Sequence, residues 1–142
     1  MHWSNNRGSK TNVPCCVILA AGEGRRLAMP EKGPKPTHEV LGLSLGERTI
    51  LACMAAGVSR FIVVLGSQAE AVRAHFAEVS MRRGCDVEFV VAADWHLGNG
   101  ISALAAKNSI LDDRFLLVMA DHLVSTALIQ QVLHTALGDR EV

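Results

Sequence analysis

The sequence predicts an α/β domain in which a mostly parallel sheet carries helices on both faces. Three observations lead there. Apolar runs at residues 15–20 and 61–65 are continuous rather than alternating, as in strands buried on both faces, and residues 87–92 and 115–119 are two further strand candidates. Segments with helical spacing separate them, which implies strand-helix-strand crossovers and so parallel neighbours. No internal repeat or low-complexity segment interrupts this order.

The first strand, CCVILA, is broken by Gly22. Residues 48–56 have helical spacing and stop at Gly57, a residue type that ends helices because a left-handed turn costs it little. The second strand, FIVVL, stops at Gly66. Ser67 and Glu70 have capping-box spacing before a helix whose Val72, His75, Phe76 and Val79 share one face. The third strand covers residues 87–92, and a shorter helix at 102–110 opens near Asn99 or Gly100. The fourth strand, FLLVM, ends before Asp121. Ser125 or Thr126 caps a last helix that turns Leu128, Ile129, Val132, Leu133 and Ala136 inward, with Gly138 behind it. The long irregular stretch at 22–46 is of a length that compact domains keep for function or motion.

The chain has 142 residues, 49% hydrophobic and 20% charged, so one folded domain is expected at residues 14–142 behind a loose polar tail at 1–13. Fourteen Lys and Arg cancel fourteen Asp and Glu, and only 4% of residues are aromatic. Both observations argue against a nucleic-acid partner, which calls for a basic surface or stacking rings. The longest apolar stretches fall far short of the ~18 residues of a membrane span, and the first residues lack a signal peptide's apolar region. A soluble, cytoplasmic protein is expected. Cys15, Cys16, Cys53 and Cys85 form no C-x-x-C pair and have no ligand spacing with the six histidines. They read as reduced, mostly buried thiols rather than zinc ligands.

Open parallel sheets bind ligands beyond the carboxyl ends of their strands. There this sequence places Ala21, Gly22, Gly24, Arg25 and Arg26, then Gly66, then residues 94–100, then Asp121. Small residues let the backbone approach a ligand and aim N–H groups at phosphate oxygens. Arg25, Arg26, Lys32 and Lys35 crowd into eleven positions against one acid, Glu31, an excess that favours a polyanion such as a triphosphate. Two other phosphate motifs are missing. A dinucleotide fingerprint fails at Leu27, and no Gly-Lys-Ser/Thr closes a Walker A loop.

The stretch Leu19-Ala20-Ala21-Gly22-Glu23-Gly24-Arg25-Arg26-Leu27 resembles the signature of the sugar-phosphate nucleotidyltransferases. Three more elements follow in the family's order: Pro34-Lys35-Pro36, the turn Gly98-Asn99-Gly100-Ile101-Ser102, and Asp121 closing strand four. Within the family the last two look most like the inositol-1-phosphate cytidylyltransferases, with phosphocholine cytidylyltransferases close. Arg25 departs from the pattern, in which Ser or Thr is usual. The resemblance spans roughly residues 13–137. It implies a Rossmann-like domain of the nucleotide-diphospho-sugar transferase type, held here as its amino-terminal, nucleotide-binding part and stopping before the acceptor pocket and a second metal-binding aspartate.

The resemblance further implies transfer of CMP from CTP to a phosphorylated alcohol, inositol 1-phosphate in the first instance, with pyrophosphate released. The alternatives are phosphocholine or a sugar 1-phosphate as acceptor, or a non-catalytic nucleotide-binding fragment. Arg26 and Gly24 are expected at the β- and γ-phosphates, Lys35 at the α-phosphate and Asp121 on Mg²⁺. The base is expected against the backbone of Leu19, Ala20, Ala21 and Gly22 and the turn at Gly98 and Asn99. Ser102 and Trp95 read as structural, and His122 as orienting Asp121 or facing solvent. An incomplete domain exposes apolar sheet surface, so self-association is a further expectation.

Overall fold

The first apolar run becomes the middle of a sheet. In the computed structural model, which describes residues 13–23 and 33–135, β1 (Cys16–Ala20) is buried at every position. After it come β2 (Glu39–Val40) and β3 (Leu43–Ser44), then α1 (Leu45–Ala55), β4 (Arg60–Leu65), α2 (Ala69–Arg83) and β5 (Asp86–Val91). The order continues with α3 (Asn99–Ala105), β6 (Leu116–Met119) and α4 (Thr126–His134). The four longer strands form one parallel sheet in the order β5-β4-β1-β6. The chain therefore winds outward from β1 in one direction and crosses back to its other side. That reversal opens a crevice at the carboxyl ends of β1 and β6.

Alternate residues of the strands feed two apolar layers. Cys16, Ile18, Ala20, Phe61, Val63, Leu65, Leu116 and Val118 meet Ile50 and Cys53 of α1, Val72, Phe76 and Val79 of α2, and Ile129 of α4. Cys15, Val17, Leu19, Ala21, Ile62 and Val64 meet α3 and the residues after it, through Ala103, Ala105, Ala106 and Ile110. Helices thus cover both faces. Burying one side chain such as Phe61 or Phe76 contributes about 1.5–3 kcal/mol. The sulfurs of Cys16 and Cys53 lie 4.0 Å apart in the first layer, and Cys85 is half-buried in the connection between α2 and β5.

Several sequence expectations are corrected. β5 and β6 are not buried on both faces. As the outer strands among the described residues, they leave Val91, Leu117 and the preceding Phe115 about half exposed. In β6 an apolar run looks the same as in a central strand, whereas in β5 the run is broken by Glu88, which pairs with Arg60. The Ser67–Glu70 capping box does not form. Instead Gln68 caps α2 in a left-handed conformation, with no side-chain bond. Helix α1 begins at Leu45, three residues earlier than expected, because Ser44 accepts a hydrogen bond from the Glu47 N–H. In α4, capped by Ser125, Ile129 and Leu133 face the core while Leu128 and Val132 stay half exposed. The irregular stretch holds a 3-10 turn at Lys35–Thr37 and the hairpin of β2 and β3. The tail at 1–12, Gly24, Arg25, Arg26, Leu27, Lys32, Ala136 and Gly138 lie outside the described residues.

On the layer formed by α1 and α2, a polar cleft gathers Glu39, Ser44, Glu47, His75, Glu78, Arg82 and Arg83. The buried Glu47 carboxylate accepts from Arg82 at 2.8 Å and Arg83 at 2.9 Å. Burial works to raise its carboxyl, but the bonds from Arg83 and Arg82 outweigh that and hold it below its ordinary value. Ser44 and His75 share a 2.6 Å hydrogen bond, and burial pushes the imidazole below its ordinary value against the pull of Glu47 and Glu78.

Candidate active site

Parallel pairing aligns the carboxyl ends of β1 and β6 and brings their following residues together. Leu19 pairs with Met119, and the ladder runs one step further as Ala120 N–H donates to the Leu19 carbonyl at 3.0 Å. Asp121 therefore leaves the sheet beside the Ala21–Gly22 bend. Across the gap comes Lys35. Its turn is closed by Thr37 N–H on the Pro34 carbonyl, by the Thr37 hydroxyl on the same oxygen, and by the His38 ring on the Gly33 carbonyl at 2.8 Å. The turn seats the buried Pro36 against α1. A Cβ on Gly46 would lie 3.1 Å from the Pro36 carbonyl oxygen and 2.7 Å from the Phe76 ring, so only glycine admits this approach.

One cleft results, lined by Leu19, Ala20, Ala21, Gly22, Lys35, Pro36, Asn99, Ser102, Met119, Ala120 and Asp121. Lys35 Nζ donates to Asp121 Oδ2 at 3.2 Å, with the two side chains 22% and 31% exposed. The other carboxylate oxygen, Oδ1, is buried and has no hydrogen-bond partner among the described residues. His122 holds its Nε2 3.9 Å from that oxygen, on a side chain 67% exposed. Among the described residues, nothing stands where a Cβ on Gly22 would be, so the backbone there is bare of them.

Of the residues singled out from sequence, Leu19, Ala20, Ala21, Gly22, Lys35, Asn99 and Asp121 line this cleft. Gly98 stands at its margin as the N-cap of α3, with a φ of +117° that favours glycine, so Asn99 is the first helical residue and not the cap. Arg26 and Gly24 lie outside the described residues. Ser102, read as structural, is buried and also lines the cleft. The signal was present, because it follows Asn99 by three residues and so shares its helical face. Met119 and Ala120 were missed because apolar residues carry no chemical motif. Trp95 packs in the second apolar layer and does not line the cleft.

The donor set can be tested against a divalent metal. Among the described residues no group of three His, Cys, Asp or Glu assembles to cage an ion. Magnesium, however, is usually held by one or two carboxylates, with water and substrate phosphates completing its shell. A single carboxylate with one buried oxygen lacking a donor among the described residues fits that habit.

A parallel α/β sheet whose switch point carries a bare glycine bend, a lysine and an aspartate defines a nucleotide-binding transferase domain. The chain belongs to the family of the MobA-like NTP transferase domain, whose model matches residues 16–142. It is 38% identical over 118 residues to the bifunctional IPC transferase and DIPP synthase of Rubrobacter xylanophilus, covering 82% of this chain and 26% of that protein. Among solved structures, a nucleotidyl transferase from Methanothermobacter superposes with a TM-score of 0.72 at 30% identity, covering 89% of this chain and 59% of the other. The inositol-1-phosphate CTP transferase of T. maritima shares the fold with a TM-score of 0.75 at 24% identity, over 85% of this chain and 49% of that one. The chain thus spans about a quarter of the curated relative and half or somewhat more of the solved structures. No helix among the described residues is long and apolar enough to cross a membrane.

Proposed function

We propose that the chain carries the nucleotide-binding part of a cytidylyltransferase that moves CMP from CTP to a phosphorylated alcohol, inositol 1-phosphate by preference. The observation that carries this reading is the pairing of Lys35 and Asp121 at 3.2 Å on the rim of a cleft floored by the Leu19–Gly22 backbone. The choice of CTP and inositol phosphate is supported by what the relatives named above are called.

In the reaction an oxygen of the acceptor phosphate attacks the α-phosphorus of CTP. The new P–O bond forms as the bond to the β-phosphate bridge breaks, and pyrophosphate leaves with the electron pair. Two anions must meet, so positioning and cationic screening dominate. Lys35 neutralises charge at the α-phosphate, while Arg26 and the Gly24 backbone hold the β- and γ-phosphates. The backbone of Leu19, Ala20 and Ala21, with Gly98 and Asn99, measures the base, and the Ser102 hydroxyl adds a donor on the same side. Asp121 would hold Mg²⁺, which when bound supplies charge neutralisation among phosphate oxygens. A site that consumes CTP, in a chain with reduced thiols, belongs in the cytoplasm. The half-exposed Leu117 and Phe115 favour a homo-oligomer, to be read by sedimentation.

The test is pyrophosphate release from CTP with inositol 1-phosphate, phosphocholine and a hexose 1-phosphate in turn, using the full chain. Turnover is expected with inositol 1-phosphate, falling about 10²–10³-fold in Lys35→Ala and Asp121→Asn. Activity kept within a few-fold by both variants would overturn the assignment. Equal thermal shifts from CTP, UTP, GTP and ATP would overturn the choice of base. CTP binding without pyrophosphate release would leave a nucleotide-binding module instead of an enzyme.

A further inference from the structure

Three clusters of polar or nucleophilic side chains stand out in the described residues. The polar cleft around Glu47 has its charges already satisfied by Arg82 and Arg83, and its Ser44 hydroxyl is occupied as a helix cap. The Cys16–Cys53 pair is sealed from solvent on both sides. The Lys35–Asp121 pair is different, because it occupies a group that the proposed reaction needs for something else.

We infer that Lys35 is the resident counter-ion of Asp121, and that it must be drawn away by the nucleotide before a divalent metal can settle there. The inference rests on the reading of Asp121 as the metal-holding residue. Lys35 Nζ and Asp121 Oδ2 are 3.2 Å apart on partly screened side chains, so their single charges already cancel. A divalent ion brought to the same carboxylate alone meets an ammonium within a few ångströms, and among the described residues no third acidic or imidazole ligand gathers there to offset the repulsion. A nucleoside triphosphate changes both terms. Its phosphates attract the ammonium off Asp121, and they bring the anionic oxygens that an ion held by one carboxylate still lacks.

The local architecture permits the exchange without backbone motion. Pro36 is buried and the turn is pinned by Thr37 and His38, so the Cα of Lys35 is fixed while its four-carbon stem stays free to swing. Asp121 Oδ1, buried and without a hydrogen-bond donor among the described residues, is the oxygen left over while Oδ2 is engaged. One lysine therefore serves two anions in succession, and metal and nucleotide enter as a linked pair.

The experiment measures Mn²⁺ binding, as a probe for Mg²⁺, by calorimetry and by the electron-spin signal of free Mn²⁺. Wild type, Lys35→Met, Lys35→Arg and Asp121→Asn are compared with and without α,β-methylene CTP, which cannot release pyrophosphate. Wild type is expected to take Mn²⁺ weakly alone and more tightly with the analogue. Lys35→Met should bind Mn²⁺ about fivefold more tightly in the absence of nucleotide, the scale of a partly exposed ion pair, and should lose most of the coupling. Lys35→Arg should behave as wild type. If Lys35→Met does not fold, Lys35→Gln removes the same charge and carries the same expectation. Equal or weaker Mn²⁺ binding by the charge-removing variant, with Asp121→Asn abolishing it, overturns the counter-ion role and leaves Asp121 as the ligand. Asp121→Asn binding Mn²⁺ as wild type does would overturn both.

Discussion

Gly66→Ala tests the packing that holds the cleft together. Gly66 closes β4, and a Cβ built there would lie 2.6 Å from Trp95 Cγ, 2.7 Å from Trp95 Cβ and 2.7 Å from the Ala21 carbonyl oxygen. Its φ lies outside the left-handed region, so the penalty is steric and not conformational. Neither neighbour gives way easily. Trp95 is packed into the second apolar layer, and the Ala21 carbonyl accepts the Ser67 N–H at 2.9 Å. Overpacking costs roughly 1–3 kcal/mol, and a clash with backbone belongs in the upper half of that range. We therefore expect a loss of about 2–3 kcal/mol in urea denaturation, or a thermal midpoint lowered by about 10 °C. Gly22→Ala is the control, because nothing among the described residues lies within 4 Å of its Cβ. It should leave stability unchanged, or raise it by up to about 1 kcal/mol through the unfolded chain, while weakening CTP binding by crowding the bare bend. Gly66→Ala within about 0.5 kcal/mol of wild type, or Gly22→Ala falling as far as Gly66→Ala, would refute the reasoning.

Two more outcomes are expected. His75 is faced by Ser44 and Glu47, by Glu39 of β2, and by Glu78 and Arg82 of its own helix, and its folded value lies below the ordinary one. The unfolded chain thus takes up that proton first, so stability should fall as pH drops below about 6.5. Glu47 contributes stability above the ordinary carboxylate range that is lost as pH falls through its lower folded value. In urea midpoints across pH 7.5 to 3, His75→Gln should flatten the upper limb and Glu47→Gln the lower. Unchanged limbs in both variants would contradict the assignments. Leu41, 95% exposed at φ +52° in the hairpin turn, pays the left-handed penalty with no burial in return. Leu41→Asn should raise stability by about 0.5–1 kcal/mol, and a lowered melting temperature would count against it.

How far the sequence foretold this molecule depended on whether a residue's role was local. Central strands such as residues 61–65 are legible because burial on both faces leaves no polar position. The same logic overreached at residues 115–119, where an outer strand keeps an equally apolar run with one side open, and at 87–92, where Glu88 already marked the open side. Ser44 and Glu47 have S-x-x-E spacing, yet Ser44 sat in the stretch read as irregular, and Glu47 turned to Arg82 and Arg83 rather than back to the cap. Lys35 and Asp121 were each singled out by their place beside prolines or at a strand end. Their 3.2 Å meeting spans 86 residues and is set by the topology. Ser102 needed only the helical step from Asn99.

The half-buried thiol at position 85 offers a practical handle. It stands where β5 begins, at the opposite end of the strands from the cleft, while the other three cysteines are closed off inside. A maleimide dye should therefore attach there first, giving a fluorophore that reports on folding and tumbling of the domain without obstructing a nucleotide.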